Sequence, residues 1–270
     1  MTTSTNKLEA DSWSGYFDHL RALSIRSVKT SKRNALVFLP GLVFPLLLAA
    51  VFSSQFSRAV DLPGFPEVDS FLDFVLPAVI LQSIAFGATQ AGADMALDVE
   101  NGFFDRLLTS PIHRSAIVLG RLAGSMVETV VKFVFLIGVL SLFGARIKGG
   151  LAAILMLLLA ALFLAIAIGG FGIMLAFKTG SQEAVNATFP LIFVFVFVSS
   201  AFFPTSLMSG WYAAVAKANP ITWIIDPLRR LIIDGWSWSD AFASVAVAAA
   251  LAGLSVIVAT RSLERRVATQ

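Results

Sequence analysis

The 270-residue sequence has no cysteine, only two histidines, and charge on just 14% of its positions. Without cysteine there is no disulfide, no thiolate nucleophile and no thiolate-ligated zinc or iron–sulfur cluster, and the redox compartment leaves no trace. Soluble domains carry charge on about 25% of positions, so a chain this poor in charge cannot clothe a core in water. The apolar share is 57% and the mean hydropathy +0.83. A bilayer must solvate most of these side chains. The net charge of +3 comes with no long basic run, so it bears on topology rather than on nucleic acid, and no nucleic-acid partner is expected.

Catalytic patterns are missing as well. His19 and His113 both fall outside the apolar runs, and the sequence contains no HExxH, no Gly-x-Ser-x-Gly elbow and no GxxxxGK[ST] phosphate loop. Proteolysis within the membrane and ATP hydrolysis are therefore not expected of this chain, and neither a cofactor nor a metal is expected in it. The first 34 residues hold no early apolar core of a signal peptide, so the first span is expected to direct its own insertion.

What is present is a set of apolar runs about 20 residues long, the length of a helical crossing. Six spans are expected, at 35–54, 74–93, 122–144, 151–177, 184–203 and 241–260. The fold class is therefore an all-α membrane protein. Pro40, Pro45, Pro77 and Pro190 lie inside these runs and predict bent helices. With the N-terminus in the cytosol, thirteen Lys and Arg residues fall on that side and six on the other. Both termini are thus expected in the cytosol. Residues 1–34 form a cytosolic region, 35–260 the six-span domain and 261–270 a cytosolic tail; Ala-rich spans with Arg-bearing loops suit a bacterial inner membrane.

Three segments stand apart. In 13–33, Trp13, Tyr16, Phe17, Leu20, Leu23 and Val28 fall near one helical face, with cations following. This predicts an amphipathic helix, lying either in the lipid interface or on a partner. In the loop 94–121, Phe103, Phe104, Leu107 and Leu108 recur at helical spacing between a glycine and Ser110-Pro111. A short helix follows, its apolar face turned to a partner protein or to the chain's own helix ends. The segment 204–240 is apolar and rich in tryptophan, with breaks at Asn219-Pro220 and Asp226-Pro227. It predicts a reentrant outer hairpin between spans five and six. The rival is a seventh crossing over 218–233, opposed by Asp226, Arg229 and Arg230.

Within the spans, Glu128 and Lys132 are one turn apart and can neutralise each other, either as scaffold or as part of a polar pathway. Asp94 and Asp98 are expected as solvated acids. Phe189, Phe193 and Phe197 make a stripe suited to lipid or to helix packing.

The run Glu100-Asn101-Gly102-Phe103-Phe104-Asp105-Arg106-Leu107-Leu108-Thr109-Ser110-Pro111-Ile112, with Arg114 and Gly120-Arg121 after it, resembles the cytosolic signature of ABC type-2 exporter permeases, the group of the daunorubicin-resistance permeases. Asn219-Pro220 with Asp226 and Arg229 is similar to the second signature of that family, before its last span. The resemblance implies a transmembrane subunit that pairs with a second permease, as homodimer or heterodimer, and docks on separate nucleotide-binding ATPase subunits, which hold ATP and magnesium. It makes Glu100, Gly102, Phe103, Leu107, Pro111 and Arg114 coupling-region candidates. It also makes the helix bearing Trp13, Phe17 and Leu20 a gate or connecting helix in contact with lipid. The implied function is export of a hydrophobic drug or lipid-like compound. Export of a polysaccharide or lipid-linked glycan is the alternative, which an aromatic stack facing the pathway would favour, and an ATP-independent channel is a third.

Overall fold

A computed structural model describes residues 13–33, 35–108 and 113–268. Among these the regular structure is entirely helical: α1 (Trp13–Arg33), α2 (Ala35–Gln55), α3 (Phe71–Glu100), α4 (Phe103–Leu108), α5 (Arg114–Leu142), α6 (Gly150–Thr179), α7 (Gln182–Asn186), α8 (Phe189–Phe197), α9 (Gly210–Ala218), α10 (Pro220–Ile233) and α11 (Trp238–Ala268), with two 3-10 turns. Local chemistry sets several of the ends. The Ser70 hydroxyl accepts the Leu72 N–H at 3.2 Å and starts α3, as a serine N-cap does. Gly102, at φ 64°, stops it, the left-handed residue that closes a helix and turns the chain into α4.

Four helices among the described residues are long and apolar enough to cross a bilayer: α3, α5 from Ser115, α6 and α11. The apolar stretches Leu39–Gln55 and Gln182–Phe197 are shorter. The expected fifth span, 184–203, is not one helix. Ser181 caps α7 by accepting the Ala184 N–H at 3.3 Å, and a new helix begins at Phe189 with Pro190 in its first turn. A proline there has no N–H for the preceding turn and fits a helix start better than a helix interior. Pro77, by contrast, lies inside α3, and Pro227 lies inside α10 instead of interrupting it. Five aliphatic side chains of α10 (Ile224, Ile225, Leu228, Leu231, Ile232) are fully buried. At about 2 kcal/mol each they outweigh a proline penalty of about 3 kcal/mol.

Helix α3 is the axis of the molecule. Every side chain from Phe71 to Ala85 is buried, and α3 packs against α2, α4, α5, α6, α7, α8 and α10. Small residues let the backbones close up, the usual device where lipid gives no hydrophobic drive for helix association. A Cβ on Gly92 of α3 would stand 2.5 Å from the backbone of Gly172 on α6. A Cβ on Gly120 of α5 would meet Leu23 of α1 at 2.5 Å, and Gly124, one turn on, faces Ser27. The Ser255 hydroxyl of α11 donates to the Ile166 carbonyl of α6 at 3.2 Å.

Gly92→Val should therefore wedge α3 from α6, costing about 2 kcal/mol or more, while Gly253→Ala, which faces open space, should not. Thermal midpoints of the purified variants check this; equal midpoints would contradict the close packing.

Candidate functional site

At the α4 end of the bundle, charged groups from three helices converge. Arg26 of α1 donates to both carboxylate oxygens of Asp98 on α3, at 2.8 and 3.1 Å. Arg121 of α5 pairs with the same Asp98, reaches Asp94 at 3.6 Å and donates to the Asp94 carbonyl at 3.3 Å. Gln90 donates to Asp94 Oδ1 at 2.8 Å, and the Ser27 hydroxyl to the Arg121 carbonyl at 2.7 Å. Asp94 and Asp98 are thus not solvated acids; the side chain of each is 14% exposed and that of Arg121 only 5%. Burying carboxylates is tolerable here because guanidinium forks hold them. Desolvation lowers the pKa of Arg26, and Asp94 opposes it; the group stays a cation.

The short helix α4 hangs on this cluster. The Arg26 guanidinium lies 3.7 Å from the centre of the Phe103 ring, a cation–π contact. Phe104 is fully buried, its ring 5.2 Å from that of Phe177. Leu107 lines a small crevice with Arg26, Asp98 and Arg121. The apolar face of α4 is therefore turned to the chain's own helices, and Arg106 lies on its exposed flank. Glu100 accepts the Gln182 N–H at 2.7 Å and so anchors the start of α7. Pro111 lies outside the described residues, as do the side chains of Arg114, which opens α5, and of Trp13, which opens α1. On α1, Phe17 is exposed and Leu20 half-buried, while Ser27 faces α5 and is buried.

Midway along the bundle, Lys132 Nζ and Glu128 Oε1 pair at 2.5 Å, with Lys132 buried. Glycines on both neighbouring helices make room: Nζ lies 2.9 Å from where a Gly41 Cβ would be, and Gly87 is closer still. Nearby, the Ser83 hydroxyl donates to the Gly41 carbonyl. Pro45, four residues after Gly41, has no N–H to offer that carbonyl, so Ser83 supplies the missing partner. Lys132 also lines an open cavity of about 590 Å³ with Pro40, Gly41, Phe44, Phe86, Thr89, Gln90, Phe189 and Phe193. Two members of the expected stripe, Phe189 and Phe193, thus face this cavity rather than lipid alone. A second, almost wholly apolar cavity of about 440 Å³ lies on the other side of α8, between α3 and α6.

At the opposite end, Asn219, Asp226 and Arg229 close the broken end of α8. Asn219 caps α10 by accepting the Ile221 N–H at 2.9 Å. Its amide donates to the carbonyls of Phe195 and Val198, at 2.7 and 3.0 Å. Buried Arg229 donates to Ser200 O at 2.6 Å, Ala201 O at 3.1 Å and Phe74 O at 2.9 Å. Asp226 balances its charge at 2.9 Å, and Phe74 stacks on it, with the ring centre 3.8 Å away. The Tyr212 hydroxyl adds a bond to Phe197 O at 2.7 Å.

Long apolar helices around an open cavity, tied at one end to a short surface helix by an ion cluster, mark a multi-pass membrane protein. The chain belongs to the ABC-2 type transporter family, whose model matches residues 18–233. It is 25% identical over 198 residues, 73% of this chain and 67% of the relative, to the daunorubicin resistance ABC transporter permease protein DrrB1 of Streptomyces coeruleorubidus. The probable doxorubicin resistance ABC transporter permease protein DrrC of Mycobacterium tuberculosis is 23% identical over 203 residues, 75% of this chain and 72% of the relative. The putative transport permease ycf38 of Cyanophora paradoxa is 25% identical over 232 residues, 84% and 79% of the two chains. The protein is accordingly the membrane subunit of an ABC transporter.

Sequence reasoning missed Arg26, Asp98 and Arg121 as a unit. The available signal was a pair of acids one turn apart near a helix end, with an arginine about two turns inside each of two other helices. Asp98→Asn leaves Arg121 buried beside a neutral amide and should destabilise the protein by about 3 kcal/mol. Arg26→Lys keeps the charge but loses the fork and should cost about 1 kcal/mol. Unfolding midpoints in detergent give the order; an unshifted Asp98→Asn midpoint would show the cluster to be ornamental.

Proposed function

We propose that this chain exports a hydrophobic or amphiphilic compound from the cytosol or inner leaflet, powered by ATP that a separate nucleotide-binding subunit hydrolyses. The observation that carries this reading is an unbroken series of contacts from α4 to the cavity. Phe103 touches Arg26, Arg26 bonds Asp98, Asp98 bonds Arg121, Arg121 bonds Asp94, and Asp94 bonds Gln90 in the cavity wall. A push on α4 is transmitted through half-buried Arg26 and buried Arg121 by ionic and hydrogen-bonded contacts. The partner ATPase docks on the exposed flank of α4 with Arg106. Its closure on ATP biases the bundle between two arrangements, and cargo is driven only through a difference in affinity between them.

Six crossings with both termini in the cytosol are part of the same proposal. The chain runs through α2, α3, α5, α6, the α7–α8 pair and α11 in turn, and the α4 end then faces the cytosol. Exposed Trp211, Trp223 and Trp238 at the opposite end support an outer interface there. The α9–α10 pair, in which the apolar face of α10 is buried, is the reentrant outer hairpin. A second copy or a similar permease completes the pathway, in a bacterial inner membrane.

Glycan export is the weaker reading. Phenylalanines do line the cavity, but of its lining residues only Thr89, Gln90 and Lys132 are polar. A sugar chain brought there would leave most of its hydroxyls without partners. Trp211, Trp223, Trp236 and Trp238 are not among its lining residues.

The test replaces Phe103 and Leu107 together by Asp, in vesicles holding the permease and the ATPase that co-purifies with it. Nucleotide-driven cargo accumulation should fall about tenfold or more, a loss of at least 1.4 kcal/mol of coupling. Normal assembly and transport in that variant would overturn the coupling role of α4. Uphill transport without any hydrolase would overturn the ATP-driven reading.

A further inference from the structure

The apolar cavity between α3 and α6, behind α8, is a slot that follows the helix axes. Its lining extends along α6 from Leu164 to Leu175, about 16 Å at the rise of an α-helix. Ala85, Leu164 and Leu251 lie near the midpoints of α3, α6 and α11, whereas Thr89, Leu175, Val185 and Thr188 lie towards the α4 end. The slot therefore occupies one half of the bundle. Its length matches the hydrocarbon depth of a single leaflet, half of a core about 30 Å thick.

The chemistry and the mouth of the slot restrict what can enter it. Of the lining residues only Thr89 and Thr188 have polar side chains. Both hydroxyls already donate within the chain, Thr89 to the Phe86 carbonyl at 2.9 Å and Thr188 to the Val185 carbonyl at 2.7 Å. A polar occupant would give up water and find no spare donor among the side chains. Phe171, Leu191 and Phe195 line the slot and are exposed, so it opens sideways between α6 and α8, at the depth of lipid tails. A helix inserted over this length, about 10 Å across, would need about 1,200 Å³. The slot offers about 440 Å³, room for a hydrocarbon chain but not for a helix.

A cation marks one end. Lys178 follows Phe171 by seven residues and Met174 by four, which puts it on the face of α6 that lines the slot. It is exposed and lies one turn beyond the last lining residues of that helix, where a long basic side chain can reach the headgroup level. We infer that the slot holds one acyl chain of a glycerophospholipid from the leaflet at the α4 end, with the lipid phosphate facing Lys178. Leu191, Ile192, Phe195 and Val196 of α8 rest on that chain, while Phe189 and Phe193 of the same helix line the other cavity. The lipid backs the partition between the two cavities. This site is independent of the export reading, because it requires a membrane but no nucleotide, cargo or second subunit.

Phosphatidylcholine with a diazirine midway along one acyl chain is the probe. The full chain in phosphatidylcholine nanodiscs is irradiated and its adducts mapped by peptide mass spectrometry. The reference is the face of α5 bearing Val127, Val130, Val131 and Val134, which is exposed and contributes nothing to the slot. Adducts in 164–175 and 188–196 should exceed those in 127–134 about tenfold. Ile192→Trp fills the slot from α8, and slot labelling should fall about tenfold. Lys178→Glu leaves the slot intact and should reduce labelling about threefold by repelling the phosphate; it decides the matter if the tryptophan variant does not fold.

Equal labelling of the slot and the α5 face, or unchanged labelling in either folded variant, would overturn the inference. Because the chain has no cysteine of its own, Leu191→Cys reports on the rival occupant of the mouth. Under mild oxidation it should stay unlinked, and rapid disulfide-linked dimers would place a second copy there instead of a lipid. Loss of transport in a chain with normal slot labelling would count against the export reading alone, and transport without slot labelling would count against this site alone.

Discussion

Every backbone carbonyl and every charge that leaves water must find a partner inside the protein. In a chain with this many prolines in apolar helices, that requirement organises the rest. Pro45 deprives Gly41 of its helical partner, and Ser83 provides one from the next helix. The end of α8 leaves five carbonyls from Phe195 to Ala201 turned to side chains, and Asn219, Arg229 and Tyr212 collect them. Side-chain donors placed on neighbouring helices thus fix how the bent segments sit. The charges follow the same rule: Arg229 is matched by Asp226, Lys132 by Glu128, Arg121 by Asp98.

The two ends of the molecule then have different characters. At one end an ion cluster joins α1, α3 and α5, and glycines bring α1 and α5 into close contact beside it. At the other, one arginine serves three carbonyls from α3 and the turn after α8. Between them lie the two cavities, with α8 as the partition. The short helix α8 is pinned at its far end by side chains of α9 and α10 and started afresh at Pro190 at its near end.

Much of this was legible in the sequence. Apolar length located α3, α5, α6 and α11, α5 despite the charges of Glu128 and Lys132, because a crossing helix must be apolar over a fixed number of residues. The glycine before Phe103 and the helical spacing after it located α4. What stayed hidden depended on contacts between distant residues. Asp94 and Asp98 resemble solvated acids until Arg26 and Arg121 arrive from other helices. Phe104 and Phe103 look alike in a pattern, yet Phe104 is buried and Phe103 sits beneath a guanidinium. Pro190 and Pro227 are equally strong breakers locally. Burial of one face of α10 overrides the second, and nothing comparable holds the first.

The arrangement around α8 has a consequence for biogenesis. Phe195 and Val198 precede Asn219 in the chain, and Ser200 precedes Arg229, so the groups that satisfy the backbone after α8 leave the ribosome later than the segment they serve. Packing at the end of α8 is therefore complete only once α10 has joined it, and a chain truncated between Ala201 and Asn219 would leave these carbonyls without their side-chain donors.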